Sequence, residues 1–551
     1  MTEIARKLFA RQISFGRLSF ALTERFLGGV KSMGISRYLA LLVLVFSVFY
    51  LPHVFIFNED INLVSAVDVD AGSIFYSIDS LFSNYNMLET YHAKYYGWAF
   101  YWICFILVAP LKLAFLIAGK PVNSIFYGTI RFIHFGIGLG SVLVLYEVVK
   151  RGTKNPMFAF CAALLWVVPP GFQLFYFIHP DTTGSLFTLG AMLCLFNFLD
   201  KPTLRNYLVG LICLVLASLS KPIFFFGALP ILFAYFHTYC IVKKKKYREF
   251  LFSKELFKTL LLSGSIACGI LFIIHPYAFI KFKDFVIYQR ALSITFVSGS
   301  WVVSELDSLK AWVKAIGGMP LLAGPIVVSP LALWIAFSFY RKTKSPIASF
   351  YLINLVGGMG LLFLIVKLNR VYQTAQYLMP CYPWFILSSV GGVFYLWQRA
   401  KGWARALVLI LSTTGALIAL SMDLWVIIPT LLARLNTTES AACKSFEYVR
   451  SHLGANEKIV FDHHVAVPSS MMSRACHYWQ GCGTDYIDKF LPDVVMFNEE
   501  YQVVGRPHEP TLRLAKYVRD HKLVLVDTIS DHRGIRLSVY RKRGASRTGD
   551  R

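Results

Sequence analysis

The sequence predicts a mainly α-helical protein that crosses a membrane many times and carries a small C-terminal α/β domain. Of its 551 residues, 56% are hydrophobic and only 16% are charged, whereas soluble domains carry about 25% charged residues. Many apolar runs approach the ~20 residues that a helix needs to cross a bilayer. These runs are continuous rather than alternating, which excludes a transmembrane β-barrel.

The positions of the basic residues predict the topology. Candidate spans number about eleven, give or take two: 39–57, 126–149, 157–177, 183–200, 205–220, 222–240, 258–275, 316–340, 347–367, 375–396 and 404–430. The Lys- and Arg-rich loops between them are 150–154, 201–205, 243–248, 341–344 and 399–405. Placing these loops in the cytoplasm satisfies the positive-inside rule and accounts for the net charge of +24 without a nucleic-acid partner. The N-terminus is then cytoplasmic and the C-terminal region external or periplasmic.

Residues 96–118 are apolar enough to form a further span. A span at this position would move every later basic loop to the external side. We therefore interpret 96–118 as a juxtamembrane or re-entrant helix in the first external loop, a position that Pro110 and Lys112 favour.

The composition changes after Pro429, which divides the chain into a transmembrane domain, 1–432, and an external α/β domain, 433–551. Strand-like runs at Lys458–Phe461, Asp493–Phe497, Lys522–Val526 and Ile535–Arg541 alternate with helical patterns at 440–453 and 509–520. If this domain faces an oxidising compartment, Cys476 and Cys482 are the local candidates for a disulfide. The same stretch has zinc-ligand residue types at Asp462-His463-His464, but the spacing of known zinc motifs is missing, so we favour a strand end plus the disulfide.

A cluster of acids directly follows the first apolar run. Glu59 and Asp60 stand at a membrane edge, where carboxylates serve as general bases or metal ligands, although a solvated loop with helix-capping acids is the alternative. Asp68, Asp70 and Asp79 are interpreted as caps or solvated residues.

Two further sets of polar residues fall on the same external face. His179-Pro180-Asp181 begins a span, where Asp181 is either a helix cap or part of a cavity shared with the acidic loop. Cations on this face run against the usual charge bias, which makes them candidates for binding anionic groups: Lys94, Lys221, Lys281, Lys283, Arg290 and Arg370. Tyr377 and its Gln neighbours supply groups that could hydrogen-bond a sugar.

The order of these motifs resembles the type-C glycosyltransferase superfamily (GT-C), especially bacterial family-39 and family-83 enzymes related to protein O-mannosyltransferases and lipid A aminoarabinose transferases. That family has an Asp-Glu pair after its first span, where this chain has Glu59-Asp60 in reversed order. Its His-Pro-Asp turn, its Lys near the fifth span and its Arg-Tyr-Leu-Leu-Pro element are matched by His179-Pro180-Asp181, Ser220-Lys221-Pro222 and Gln376–Pro380, with Arg370 displaced upstream.

The resemblance covers roughly residues 38–400 and implies a membrane glycosyltransferase of the cell envelope. Its donor would be a polyprenyl-phosphate sugar, and a lipid, glycan or protein acceptor would enter from the external side. Glu59 or Asp60 would be the base of an inverting transfer, and Asp181 would orient the acceptor or a divalent metal held with those two acids. The donor phosphate would lie against cations drawn from Lys94, Lys281 and Arg370, with His179, Lys221, Arg290 and Tyr377 as further substrate-binding candidates.

Two other functions are compatible with a polytopic chain. A lipid or sugar transporter, or flippase, is expected to show paired repeats and charges at mid-membrane, and the sequence shows neither. A non-catalytic assembly component would use the C-terminal domain to bind its partner. We expect a location in the inner (plasma) membrane in every case.

Overall fold

The computed structural model describes residues 37–56, 60–67, 69–83, 98–119, 123–168, 178–201, 203–225, 240, 253–287, 290, 304–343, 346–369, 375–435, 440–462, 464–478, 485–503, 506–507, 509–531 and 534–543. The helices up to residue 435 are Arg37–Val54 (α1), Ile61–Val67 (α2), Val69–Ser83 (α3), Ala99–Ile117 (α4), Asn123–Thr153 (α5), Pro156–Val167 (α6), Asp181–Asp200 (α7), Leu204–Ser220 (α8), Lys254–Ile274 (α9), Tyr277–Ile280 (α10), Glu305–Gly317 (α11), Pro320–Thr343 (α12), Pro346–Leu368 (α13), the 3-10 helix Ala375–Leu378 (η1), Tyr382–Arg399 (α14) and Trp403–Leu435 (α15). The predicted mainly α fold is confirmed.

Five helices of the described residues are long and apolar enough to cross a membrane. They are α1, α4, residues 125–153 of α5, α9 and residues 403–425 of α15. Helix α11 and residues 320–328 form a sixth candidate, a broken span bent by 108°. The protein is therefore a multi-pass membrane protein. The count of eleven spans and the juxtamembrane position of 96–118, a range that contains the 19-residue helix α4, remain predictions.

Two of the predicted spans have other bounds than the helices in the structure. The run 375–396 is divided into η1 and α14, because Pro380 and Pro383 allow a new helix to start only at Tyr382. The run 404–430 belongs to a 33-residue helix, α15, that continues to Leu435 and so passes the predicted domain boundary at 432.

Helix α5 lies at the centre of the bundle and packs against α1, α4, α6 and α7. Several buried polar groups in this core are paired, as a lipid environment favours. The indole N–H of Trp166 donates to Ser141 Oγ at 2.9 Å, and the Tyr382 hydroxyl donates to the Leu321 carbonyl at 2.6 Å. Asp423, in α15, accepts the Leu321 N–H at 2.9 Å and so caps α12 where it starts after the bend.

The two ends of the bundle carry different chemistry. At one end, Arg151 pairs with Glu147 at 2.9 Å, and the amide of Asn206 donates to the Lys201 carbonyl at 2.8 Å. This end contains the basic loops 150–154 and 201–205. Helix α7 has 20 residues, or about 30 Å, so its first residue, Asp181, lies at the opposite end.

The C-terminal region contains a five-stranded sheet flanked by short helices. The helices are Ala441–His452 (α16), the 3-10 helix Ser469–Arg474 (η2), Asp485–Phe490 (α17) and Glu509–Asp520 (α18). The strands are Ile459–Phe461 (β1), Ala475–His477 (β2), Val494–Asn498 (β3), Gln502–Val503 (β4), Arg506–Pro507 (β5), Val524–Ser530 (β6) and Arg536–Arg541 (β7). The sheet order is β2-β1-β3-β7-β6, with β1 parallel to β2 and β3, and β7 antiparallel to its neighbours. The small α/β fold predicted for this region is therefore present.

The C-terminal region packs on the helix that follows the acidic loop. Leu63 and Val64 of α2 share one buried hydrophobic cluster with Ala442 and Ala466 from the C-terminal region. Ile178, which precedes the His-Pro-Asp turn, lies in the same cluster. One apolar core thus connects the acidic loop, the turn and the C-terminal region.

Candidate active site

Asp181 is the centre of a buried polar network at the start of α7. Pro180 precedes the helix in an αR conformation, and the Gly184 N–H donates to its carbonyl at 3.0 Å, which fixes the first turn. The side chains of His179 and Asp181 are 2% and 1% exposed, and His179 Nδ1 lies 2.7 Å from Asp181 Oδ2. A carboxylate this deeply buried requires a charged partner.

Lys221 is that partner. It follows the last residue of α8 in an extended conformation, and its Nζ lies 2.9 Å from Asp181 Oδ2. The same ammonium stands 4.9 Å from the centroid of the Tyr377 ring, contributed by η1. The structure thus brings four candidates, from three separate segments, into one cluster: His179, Asp181, Lys221 and Tyr377.

The other carboxylate oxygen of Asp181 is buried and has no hydrogen-bond partner among the described residues. Among the described residues, Asp181 Oδ1 has no hydrogen-bond partner, and neither has the Ser185 hydroxyl. Residues four apart lie on one face of a helix, so these two buried polar atoms are one turn apart on the same side of α7. Buried polar atoms are almost always paired, and a hydroxyl-bearing ligand would pair with both.

His134 in α5 belongs to the same network but was missed in the sequence. Its Nε2 lies 2.8 Å from Thr182 Oγ1 and accepts a longer bond, 3.4 Å, from the His179 N–H. The ring packs edge-on against Phe100 with centroids 6.0 Å apart. The available signal was an ionisable residue inside an apolar run, which is a functional candidate by default.

Asp60 lies at the start of α2, where it caps the helix. Its Oδ1 accepts the Asn62 N–H at 2.8 Å, and its Oδ2 accepts the Ser469 N–H from η2 at 2.9 Å. Asp60 therefore has the helix-capping role that is the alternative to catalysis. No hydrogen bond between Asp60 and Asp181 exists in the described part of the chain, and the two are connected through the cluster that contains Leu63, Val64 and Ile178.

The remaining candidates are not part of this network. Lys281 is half-buried and Arg290 exposed, both beyond the C-terminal end of α9, and Asp181 contacts neither within the described residues. Asp79 forms an ion pair with Lys112. Glu59, Lys94, Arg370 and Cys482 lie outside the described residues, so their predicted roles, and the pairing of Cys482 with the buried Cys476 of β2, remain predictions.

The divalent metal expected between Glu59, Asp60 and Asp181 remains a prediction, because Glu59 lies outside the described residues. Such an ion prefers several carboxylate oxygens, whereas Asp181 is here already paired with the Lys221 ammonium. The described residues contain no group of three His, Cys, Asp or Glu side chains that could hold a metal ion. In the C-terminal region, the Asp462 carboxylate accepts the N–H groups of His464 and Asn498 at 2.9 and 2.8 Å.

The apolar helical bundle, with its polar network at one end, defines a multi-pass membrane protein. Residues 110–273 match the family model described as dolichyl-phosphate-mannose-protein mannosyltransferase. The matched segment covers less than a third of the chain and contains α5 to α9 and with them His134, His179, Asp181 and Lys221. This match confirms the predicted resemblance to a glycosyltransferase family, and it covers the segment that carries the polar network.

Solved structures with a similar course of the chain were also found. The oligosaccharyltransferase of Archaeoglobus fulgidus in the apo form matches with 13% identity and a TM-score of 0.44, over 84% of this chain and 69% of that one. The archaeal oligosaccharyltransferase AglB of the same organism, in complex with an inhibitory peptide and a dolichol-phosphate, matches with 12% identity and a TM-score of 0.45 over the same shares. No curated protein matches the chain significantly.

Proposed function

We propose that this protein transfers a sugar from a polyprenyl-phosphate donor to an acceptor on the external face of the membrane, with inversion at the sugar. The observation that carries the proposal is the buried Lys221–Asp181–His179 network, which lies inside the family-matched segment and at the end of the bundle opposite the basic loops. The dolichyl-phosphate in the family description supports a lipid-phosphate donor.

In the proposed reaction, a carboxylate of the acidic loop, Glu59 or Asp60, takes the proton of the acceptor hydroxyl. The acceptor oxygen then bonds to the anomeric carbon while the bond from that carbon to the phosphate oxygen breaks. The electron pair leaves with the polyprenyl phosphate, whose growing negative charge nearby cations stabilise.

Asp181 has an orienting role in this proposal. Lys221 and His179 contact one oxygen, and Oδ1, which has no partner among the described residues, would accept a hydrogen bond from the acceptor hydroxyl. Because the Lys221 charge is balanced by Asp181, the donor phosphate needs other cations, and Lys94, Lys281 and Arg370 are the candidates. Tyr377, beside Lys221, is placed to contact the sugar.

The test is sugar transfer by the full-length protein in nanodiscs supplied with a panel of polyprenyl-phosphate sugars and a cell-envelope extract as acceptor. We expect Asp181→Asn to lower kcat by about 100-fold, since a misplaced reactant can lose about that factor in rate. Asp307→Asn is the matched control, because Asp307 is an exposed acid at the start of α11.

The readout is the release of polyprenyl phosphate together with a sugar-bearing product. Normal transfer by Glu59→Ala, Asp60→Ala and Asp181→Ala proteins that remain folded would overturn the proposal. Movement of the donor across the membrane without any covalent product would favour the transporter instead.

A further inference from the structure

We infer that Asp60 is a positioning residue that ties the start of α2 to the C-terminal region. The inference rests on the proposed function and gives Asp60 an anchoring task rather than that of the base. It is carried by a hydrogen bond between two residues that are 409 positions apart in the chain.

Each oxygen of the Asp60 carboxylate holds a different segment. Oδ1 accepts the Asn62 N–H at 2.8 Å, and the Val64 N–H donates to the Asp60 carbonyl at 3.1 Å, which together form the N-terminal cap of α2. Oδ2 accepts the Ser469 N–H at 2.9 Å. Ser469 is the first residue of η2, and the first N–H groups of a helix have no partner within it.

Apolar packing between the same two segments accompanies this exposed hydrogen bond. Leu63 and Val64 of α2 are 2% and 0% exposed, and they share their cluster with Ala442 and Ala466. The Ala466 N–H donates to Ser445 Oγ at 3.0 Å, which fixes the segment leading to η2 against α16. The contact between Asp60 and Ser469 is therefore the polar rim of a packed interface, which we name the loop clasp.

The clasp gives Asp60 an anchoring task. Each oxygen of its carboxylate accepts a backbone N–H, and the two N–H groups come from different segments, α2 and η2. The start of α2 is thereby attached to the C-terminal region.

The test compares two substitutions of Ser469, one that removes its backbone N–H and one that keeps it. Ser469→Pro removes the N–H, and proline suits this position because it is the first of a helical turn and follows Pro468 in an extended conformation (φ −51°, ψ 137°). Ser469→Ala keeps the N–H and removes only an exposed hydroxyl. Asp60→Asn keeps one oxygen for the cap but replaces the other acceptor with an N–H group.

Hydrogen–deuterium exchange of the full-length protein in nanodiscs measures the clasp without any sugar transfer. We expect Ser469→Pro and Asp60→Asn each to raise exchange in residues 60–67 and 469–474 by about 10-fold or more, as expected for a lost hydrogen bond to a charged group. The double variant should show no further rise, because both substitutions break the same contact. Exchange in Ser469→Pro equal to that in Ser469→Ala, or additive effects in the double variant, would overturn the clasp.

The transfer assay then separates positioning from catalysis. A positioning role predicts that Ser469→Pro and Asp60→Asn lower kcat by a similar factor, about 10-fold, relative to Ser469→Ala, while Glu59→Gln abolishes transfer. Loss of transfer in Asp60→Asn with normal transfer in Ser469→Pro would make Asp60 the base and refute the assignment. If even the unmodified protein transfers no sugar, the proposed function fails, and the exchange experiment still decides the clasp.

Discussion

Removing the ammonium of Lys221 while leaving Asp181 in place should be among the most damaging single changes in the bundle. The two groups are 2.9 Å apart, with side-chain exposures of 12% and 1%. At an effective dielectric constant of about 20, two unit charges at this separation attract by about 6 kcal/mol. Desolvation offsets much of that gain in the intact pair, but a single partner left behind keeps the whole penalty.

We therefore expect Lys221→Met, which retains the apolar stem, to reduce the free energy of unfolding by about 3–5 kcal/mol. Asp181→Asn should cost a similar amount because it leaves the ammonium without its counter-charge. The double variant Asp181→Asn with Lys221→Met should cost clearly less than the sum of the two single changes.

The measurement is reversible unfolding of the purified protein in mixed micelles, followed by intrinsic fluorescence. The four proteins form a double-mutant cycle, with the exposed Lys310→Met as a control for loss of a surface charge. Additive single effects, or a Lys221→Met protein as stable as the unmodified one, would show that the pair is not coupled and refute the reasoning.

Two further predictions concern packing and pH. A Cβ added at Gly184 would lie 2.4 Å from the Phe224 ring, whereas one at Gly190 would meet its nearest atom at 3.4 Å. Gly184→Ala should therefore lower the thermal midpoint of unfolding by an amount corresponding to about 1–3 kcal/mol. A Gly184→Ala protein as stable as the Gly190→Ala protein would contradict the packing. Burial raises the pKa of Asp462 to about 6, although two backbone N–H groups oppose the rise. Protonated Asp462 therefore stabilises the folded protein: this contribution is fully present below the unfolded pKa of about 3.9 and is lost as the pH rises through about 6. Hydrogen exchange of β1 and β3, corrected for the intrinsic pH dependence, should accelerate between about pH 4 and pH 6. Asp462→Asn should abolish that dependence, and equal slopes in the two proteins would contradict it.

Much of the fold could be predicted because local patterns determine it. Continuous apolar runs identify membrane helices from composition alone. In the C-terminal region, the predicted strand Asp493–Phe497 corresponds to β3 at Val494–Asn498, and the predicted helix 509–520 corresponds to α18. Strand β2 was not among the predicted strands.

The site could be predicted only where its residues stand at helix ends. His179, Asp181 and Lys221 flank apolar runs, so the charge pattern of the loops was enough to place them on one face. His134 sits within an apolar run and gives no sign of its contact with Thr182. The contact of Asp60 with Ser469 could not be predicted, because periodicity carries no information about partners in distant segments.

The Asp60–Ser469 contact also has a consequence for biogenesis. The loop emerges early in synthesis, and its partner is added 409 residues later. At translation rates of about 5–20 residues per second, roughly 20–80 s separate the two events. During this interval Asp60 can accept the N–H of Asn62 but not that of Ser469, which has not yet been synthesised. The contact between the two segments therefore forms only after the C-terminal region has been made.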